Sequence, residues 1–208
     1  MLQSHGYAGG RLAAMNLQHV NVKLLIEDFG DAGLERLIPV FHGWIQDRAR
    51  PELLLDIADY RHVPAGPGVV LIGHEANYSV DNTDNRMGVR YNRKAELDGS
   101  NQDRLAQAAV AALSACQLLE AEPRLQNGLR FNGQEIEIFV NDRLLAPNVE
   151  VTREVLHGEL ESFFRKVFRN GEISISYDKD PRRLFGVSVK AARRFSVADL
   201  LANLGGRD

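Results

Sequence analysis

The sequence lacks any apolar run long enough to span a membrane. A spanning helix needs about 18 apolar residues in succession, and the longest runs here, such as Val69-Val-Leu-Ile72, are strand-sized. No secretory signal is expected in residues 1–14 either, because they hold three glycines and no apolar centre. With nothing in them to bury, these residues read as a flexible N-terminal extension. Cysteine is nearly absent: Cys116 alone excludes an intramolecular disulfide framework. It falls on the apolar stripe of a helix with no His or Arg within one turn, so a buried small hydrophobe is expected rather than a reactive thiol. These absences predict a cytoplasmic protein without membrane contact.

An excess of one charge sign is also missing. The net charge of −3 gives no global electrostatic reason to bind nucleic acid or an anionic membrane. The distribution is uneven, however. Residues 165–194 carry nine Lys/Arg against three Asp/Glu, a balance of +6 that leaves −9 for the remainder. Such a stretch could hold a small anionic ligand or RNA, with Arg182 and Arg183 at a hairpin tip as the ligand-binding candidates. Aromatics for base stacking are lacking, since Phe163, Phe164, Phe168 and Phe185 read as core, so nucleic acid is not the favoured partner. A solvated face, or contact with an acidic surface of a second subunit, suits the stretch better, and the second of these predicts a homodimer.

The familiar catalytic signatures are missing too. There is no Walker A loop, no G-x-G-x-x-G after a strand, no H-E-x-x-H, no nucleophile elbow and no CxxC pair. No cofactor is implied, and no family signature is legible.

What is present is the composition of a folded globular chain: 44% apolar and 25% charged residues over 208 positions. Val20, Val22, Leu24 and Ile26 alternate with Asn21, Lys23 and Leu25, a strand with one buried face. Leu34, Leu37, Ile38, Phe41, Trp44 and Ile45 recur at helical spacing, with Pro39 expected to kink that helix or confine it to later residues. Leu53–Tyr60 is apolar on both faces, which predicts a central strand, and hairpins follow around residues 61–68 and 81–85. Ser100 with Asp103 opens a helix striped by Leu105, Ala109, Ala112, Cys116 and Leu119. Ile136, Ile138 and Val140 alternate with Glu135, Glu137 and Phe139. Thr152 is expected to cap a helix striped by Leu156, Leu160, Phe163, Phe164 and Val167. Two strands about Ile173–Tyr177 and Phe185–Val189 precede a last helix, opened by Ser196 with Asp199 and stopped by Gly205.

Each half therefore reads β-α-β-β-α, with one extra hairpin in the first. The expected fold is α+β, a mixed α/β chain with a largely antiparallel sheet and four amphipathic helices. It divides into the extension 1–14 and a single domain 15–208 with pseudo-halves 15–122 and 129–205. One continuous sheet is preferred over two subdomains, because each half alone is near the size at which cores become marginal.

Polar residues are densest between 56 and 81. Asp56 interrupts the apolar strand, and a buried carboxylate there needs a partner or a shifted pKa. Asp56 or His74 could then serve as a general base with Tyr60 beside it, and Arg61 and His62 as ligand-binding groups. His74 and Glu75 cannot act together, since neighbours in a strand point to opposite faces. No metal site is expected, because three ligands would have to converge. The preferred functional reading is a ligand- or protein-binding module that self-associates. The alternative is a small metal-independent enzyme of lyase, isomerase or hydrolase type, and anion or RNA binding through 165–194 comes third.

Overall fold

The alternations and stripes fold in a computed structural model that describes residues 15–29, 33–125 and 129–205; the extension expected for residues 1–14 lies outside them. The elements are β1 (Val20–Asp28), α1 (Leu37–Gln46), β2 (Leu54–Tyr60), β3 (Gly68–Gly73), β4 (Ala76–Asp81), β5 (Gly88–Arg93), α2 (Asn101–Glu120), β6 (Arg130–Val140), α3 (Glu150–Val167), β7 (Ile173–Tyr177), β8 (Phe185–Ala191) and α4 (Val197–Leu204). The eight strands form one antiparallel sheet in the order β2-β3-β4-β5-β1-β6-β8-β7. Class, helix number and sheet sense are those expected from the sequence.

The first strands of the two halves, β1 and β6, pair at the centre. Outward from them, β5 answers to β8 and β4 to β7, and the helices α1 and α2 precede and follow these strands as α3 and α4 do in the second half. The extra hairpin is β2–β3, which lies beyond β4 and carries the first half out to the other edge.

Every second residue of the strands points to one layer of helices. Val22, Leu24, Val80, Tyr91, Ile138 and Val187 share a single buried core with the apolar stripes of all four helices. In α2, Ala108, Ala109, Ala112 and Ala115 are buried, and their small side chains let the helix lie close on β1 and β5, which it contacts. The aromatic side of the core runs along α3: Phe163 meets Phe164 edge-on, Phe164 stacks on Phe168, and Phe168 meets Phe195. Cys116 is buried, and burial pushes its thiol pKa well above the ordinary value. Both predicted capping boxes form, Ser100 with Asp103 and Ser196 with Asp199, and Gly205 ends α4 at a φ of 80°.

Three local expectations are corrected. Pro39 does not break α1; it is in the first turn, where its missing N–H has no intrahelical partner to lose. Thr152 does not cap α3, which begins at Glu150 with Val149 at the cap position, so Thr152 is already helical and faces the core. Strand β2 is an edge, not a centre. Its apolar density misled because Leu53 and Leu55 are 64% and 51% exposed, and a register irregularity between Leu54 and Asp56 breaks the pairing with β3 there.

Candidate functional site

With all four helices in one layer, the opposite sheet face is uncovered by any helix among the described residues. Antiparallel sheets often leave one face to water, and the alternating polar residues of the strands all point there. The strand order sets them in two rows. Asn77, Asn92, Asn21 and Phe139 face one another across β4, β5, β1 and β6; one step along, Ser79, Arg90, Lys23, Glu137, Ser188 and Ser176 continue across β8 to β7.

The centre of this face is not wet. Asn21 is 0% and Lys23 1% exposed, although both lie on the side away from the helices. Their cover comes from long side chains that cross the strands. Arg90 reaches from β5 over β1 to stack on Phe139 of β6, its guanidinium carbon 4.7 Å from the ring centre, and so closes over Asn21. Arg86, just before β5, spans the same gap to Glu135 and Glu137 of β6 at 2.6 and 2.7 Å. Lys23 reaches the other way, across β5 to Asp81 of β4 at 2.5 Å. It can do so because β5 has Gly88 at the crossing: a Cβ there would lie 2.9 Å from the Lys23 Cε.

The electrostatics follow from that cover. Burial lowers the Arg90 pKa, against the pull of Asp81 and Glu137. Burial also raises the Glu137 pKa, opposed by Arg86 and Lys23. Its neighbour Glu135 is less enclosed; burial pushes it up, but bonds from Arg86 and Ser188 outweigh that and hold it below the usual carboxylate range. Ion pairs close most of the charges. The Asn21 amide nitrogen and oxygen, the Arg90 Nε and the Asn92 oxygen are buried with no hydrogen-bond partner.

Two clefts open on the same face. One of about 460 Å³ lies over Phe139 and Gly186, between Arg86 and Glu137 on one side and Asp178, Lys179 and Arg183 on the other. The second, of about 400 Å³, is apolar at its outer side (Ala58, Tyr60, Val70, Ile72) and polar at its inner side (Asn77, Ser79, Arg90, Asn92).

The residues predicted from sequence are dispersed. Asp56 is exposed on β2, its carboxylate accepting from the Ile57 N–H; the edge position removes the burial from which its reading began. Tyr60 is 44% exposed at the strand end and lines the second cleft, with the exposed His62 ring 6.5 Å away. Arg61 is held by Asp59, and that contact lowers the Asp59 pKa to about 2. His74 is exposed in the β3–β4 turn, at the opposite end of the hairpin from His62. Neither Asp56 nor His74 lines the clefts described. Arg182 pairs with Asp180, and Arg183 with Asp84 and Asp178, so local acids take up the charge of the hairpin tip. Of these candidates only Tyr60 and Arg183 border the clefts, one on each. Among the described residues no cluster of three His, Cys, Asp or Glu is placed to hold a metal ion, and no helix is long and apolar enough to cross a membrane.

The residues that make the face were visible in the sequence only as the polar half of each alternation. Asn21, Lys23, Arg90 and Glu137 gain meaning from strand order, which places four separate segments side by side. Comparison with known proteins finds no family model that matches the chain and no curated protein similar to it.

Proposed function

We infer that the chain is a protein-binding module and that its uncovered sheet face receives the partner. The observation that carries this reading is the set of buried, unpartnered polar atoms at the centre of that face, on Asn21, Arg90 and Asn92. Leaving such groups unsatisfied costs free energy, and a partner that drew the Arg90 side chain aside would reach them with peptide-like donors and acceptors. The setting resembles an interface: a central arginine on an aromatic ring, a charged rim of both signs around Arg86 and Arg183, and apolar contact area at Tyr60, Val70 and Ile72. Eight strands at about 4.8 Å spacing span roughly 34 Å between the outer strands, the breadth of a protein footprint rather than of a small molecule. Mixed charge also suits a partner with its own alternating signs better than a simple anion.

Recovery of cross-linked partners from source cells tests this reading when three versions of the chain are compared. A partner held by the wild type and by His42→Arg, on the helix layer, should be lost from Asn77→Arg/Ser188→Arg, on the uncovered face. If the face variant keeps every partner that the wild type holds, the reading fails.

A further inference from the structure

The two edges of the sheet are built differently. Strand β2 is guarded in the usual manner of free edges: it carries Asp56 and Asp59, and its pairing with β3 is irregular after Leu54. Strand β7 has no such device. Its sequence, Ile173-Ser-Ile-Ser-Tyr177, contains no charge and no proline, and its register with β8 is regular throughout.

The free hydrogen-bonding groups of β7 can be located. The Ala192 N–H donates to the Glu172 carbonyl and the Asp178 N–H to the Gly186 carbonyl. In an antiparallel ladder bonded pairs alternate with unbonded ones, so residues 172, 174, 176 and 178 bond inward to β8. Ile173, Ile175 and Tyr177 then direct their N–H and C=O groups outward, where no strand pairs with them among the described residues. Beside them, between β7 and the first turns of α3, runs a groove of about 640 Å³ bordered by the acids Glu150 and Glu154, the bases Arg153 and Lys179, and Ile175 and Tyr177.

We propose that β7 pairs with β7 of a second copy, antiparallel about a two-fold axis at Ile175, joining two eight-stranded sheets into one. Outward groups on residues 173, 175 and 177 make the edge self-complementary. Ile175 meets Ile175 of the other copy, Ile173 meets Tyr177, and each facing pair closes two hydrogen bonds. On the helix side the apolar faces of these residues become cross-strand neighbours. Charge selects a second copy over an unrelated strand. Helix α3 runs antiparallel to β7, and along it the first turns carry Glu150 and Glu154 against the single Arg153, while the end exposes Lys166 and Arg169 beyond the Arg165–Glu161 pair. The two-fold axis turns one α3 against the other, acidic start towards basic end. The basic stretch 165–194, which contains β7, thereby meets acid from its own kind.

Light scattering on the full chain should find a dimer that weakens as salt rises. Ile175→Pro removes an outward N–H and trims a half-buried side chain but leaves the bonds to β8 in place, and should give a folded monomer. Ile175→Cys should form a disulfide-linked dimer under mild oxidation, because the axis brings that residue against its own copy, while Lys179→Cys should not. A wild type that is monomeric at every concentration overturns the proposal. So does a dimer that survives Ile175→Pro, or one that the Ile175→Cys variant fails to cross-link. Asn77→Arg/Ser188→Arg, on the uncovered face, should leave the dimer intact, so this test and that of the face fail independently.

Discussion

At the scale of single residues, the aromatic seam under α3 gives the largest expected effect. Phe164 is fully buried between Phe163 and Phe168, and Phe164→Ala should cost about 3–5 kcal/mol in chemical denaturation; a loss below about 1 kcal/mol would place the side chain outside the core. The two carboxylates that share Arg86 should titrate apart. Burial raises Glu137, and bonds from Arg86 and Ser188 leave Glu135 lowered. A raised folded pKa means the native state holds the proton more tightly than the unfolded chain. Glu137 therefore lowers stability as pH rises through the ordinary glutamate value of about 4.3 towards its own. Glu135 acts in the opposite sense: its contribution is present above the ordinary value and is lost as pH falls through its lowered pKa. Carboxyl carbon NMR should record Glu137 above and Glu135 below the ordinary value, and Arg86→Gln should move both upward. A Glu137 that titrates normally would show that water reaches it beneath the arginines.

Elements show how far local sequence carries. Ser100-x-x-Asp103 and Ser196-x-x-Asp199 were readable because a capping box is complete within four residues, and Ser196→Ala should cost about 1 kcal/mol through loss of the α4 cap, measured by the shift in denaturation midpoint. The stripe of α3 was readable for the same reason, while its start was misread: Thr152 has the side chain of a cap but faces the core one turn inside the helix. Strand β2 failed for a different reason. A strand with apolar residues on both faces has the same local pattern whether neighbours cover it or, as for Leu53 and Leu55, nothing does. The candidate site was the least legible part, since Lys23 and Asp81 are 58 residues apart and their meeting depends on Gly88 in a third strand. That glycine offers a sharp test of the crossing. Gly88→Ala would press a methyl group against the Leu24 carbonyl and the Lys23 stem, and should cost about 1–3 kcal/mol. A neutral result would mean that the β1–β5 backbone and the Lys23 stem both give way at this point.

Over the whole molecule, the seam between β1 and β6 decides whether the two pseudo-halves are separable. Each half would be left with an open central strand, and α2, which packs on β1 and β5, also contacts α3 and α4 of the second half. Dividing the chain would expose that helix along with the edge, and halves of about 75–110 residues bury a smaller share of their surface than the intact chain does. The expectation is one cooperative unit. Trp44 is the sole tryptophan and lies in α1 beneath the β2–β3 hairpin, at the far edge of the first half. Its fluorescence reports that edge alone, whereas far-ultraviolet circular dichroism reports helices and strands of both halves. For a single two-state transition the two probes must coincide in denaturant. If Trp44 melts first and the dichroism follows in a second step, the β2–β3 edge unfolds apart from the β1–β6 centre, and the chain behaves as two units sharing a sheet.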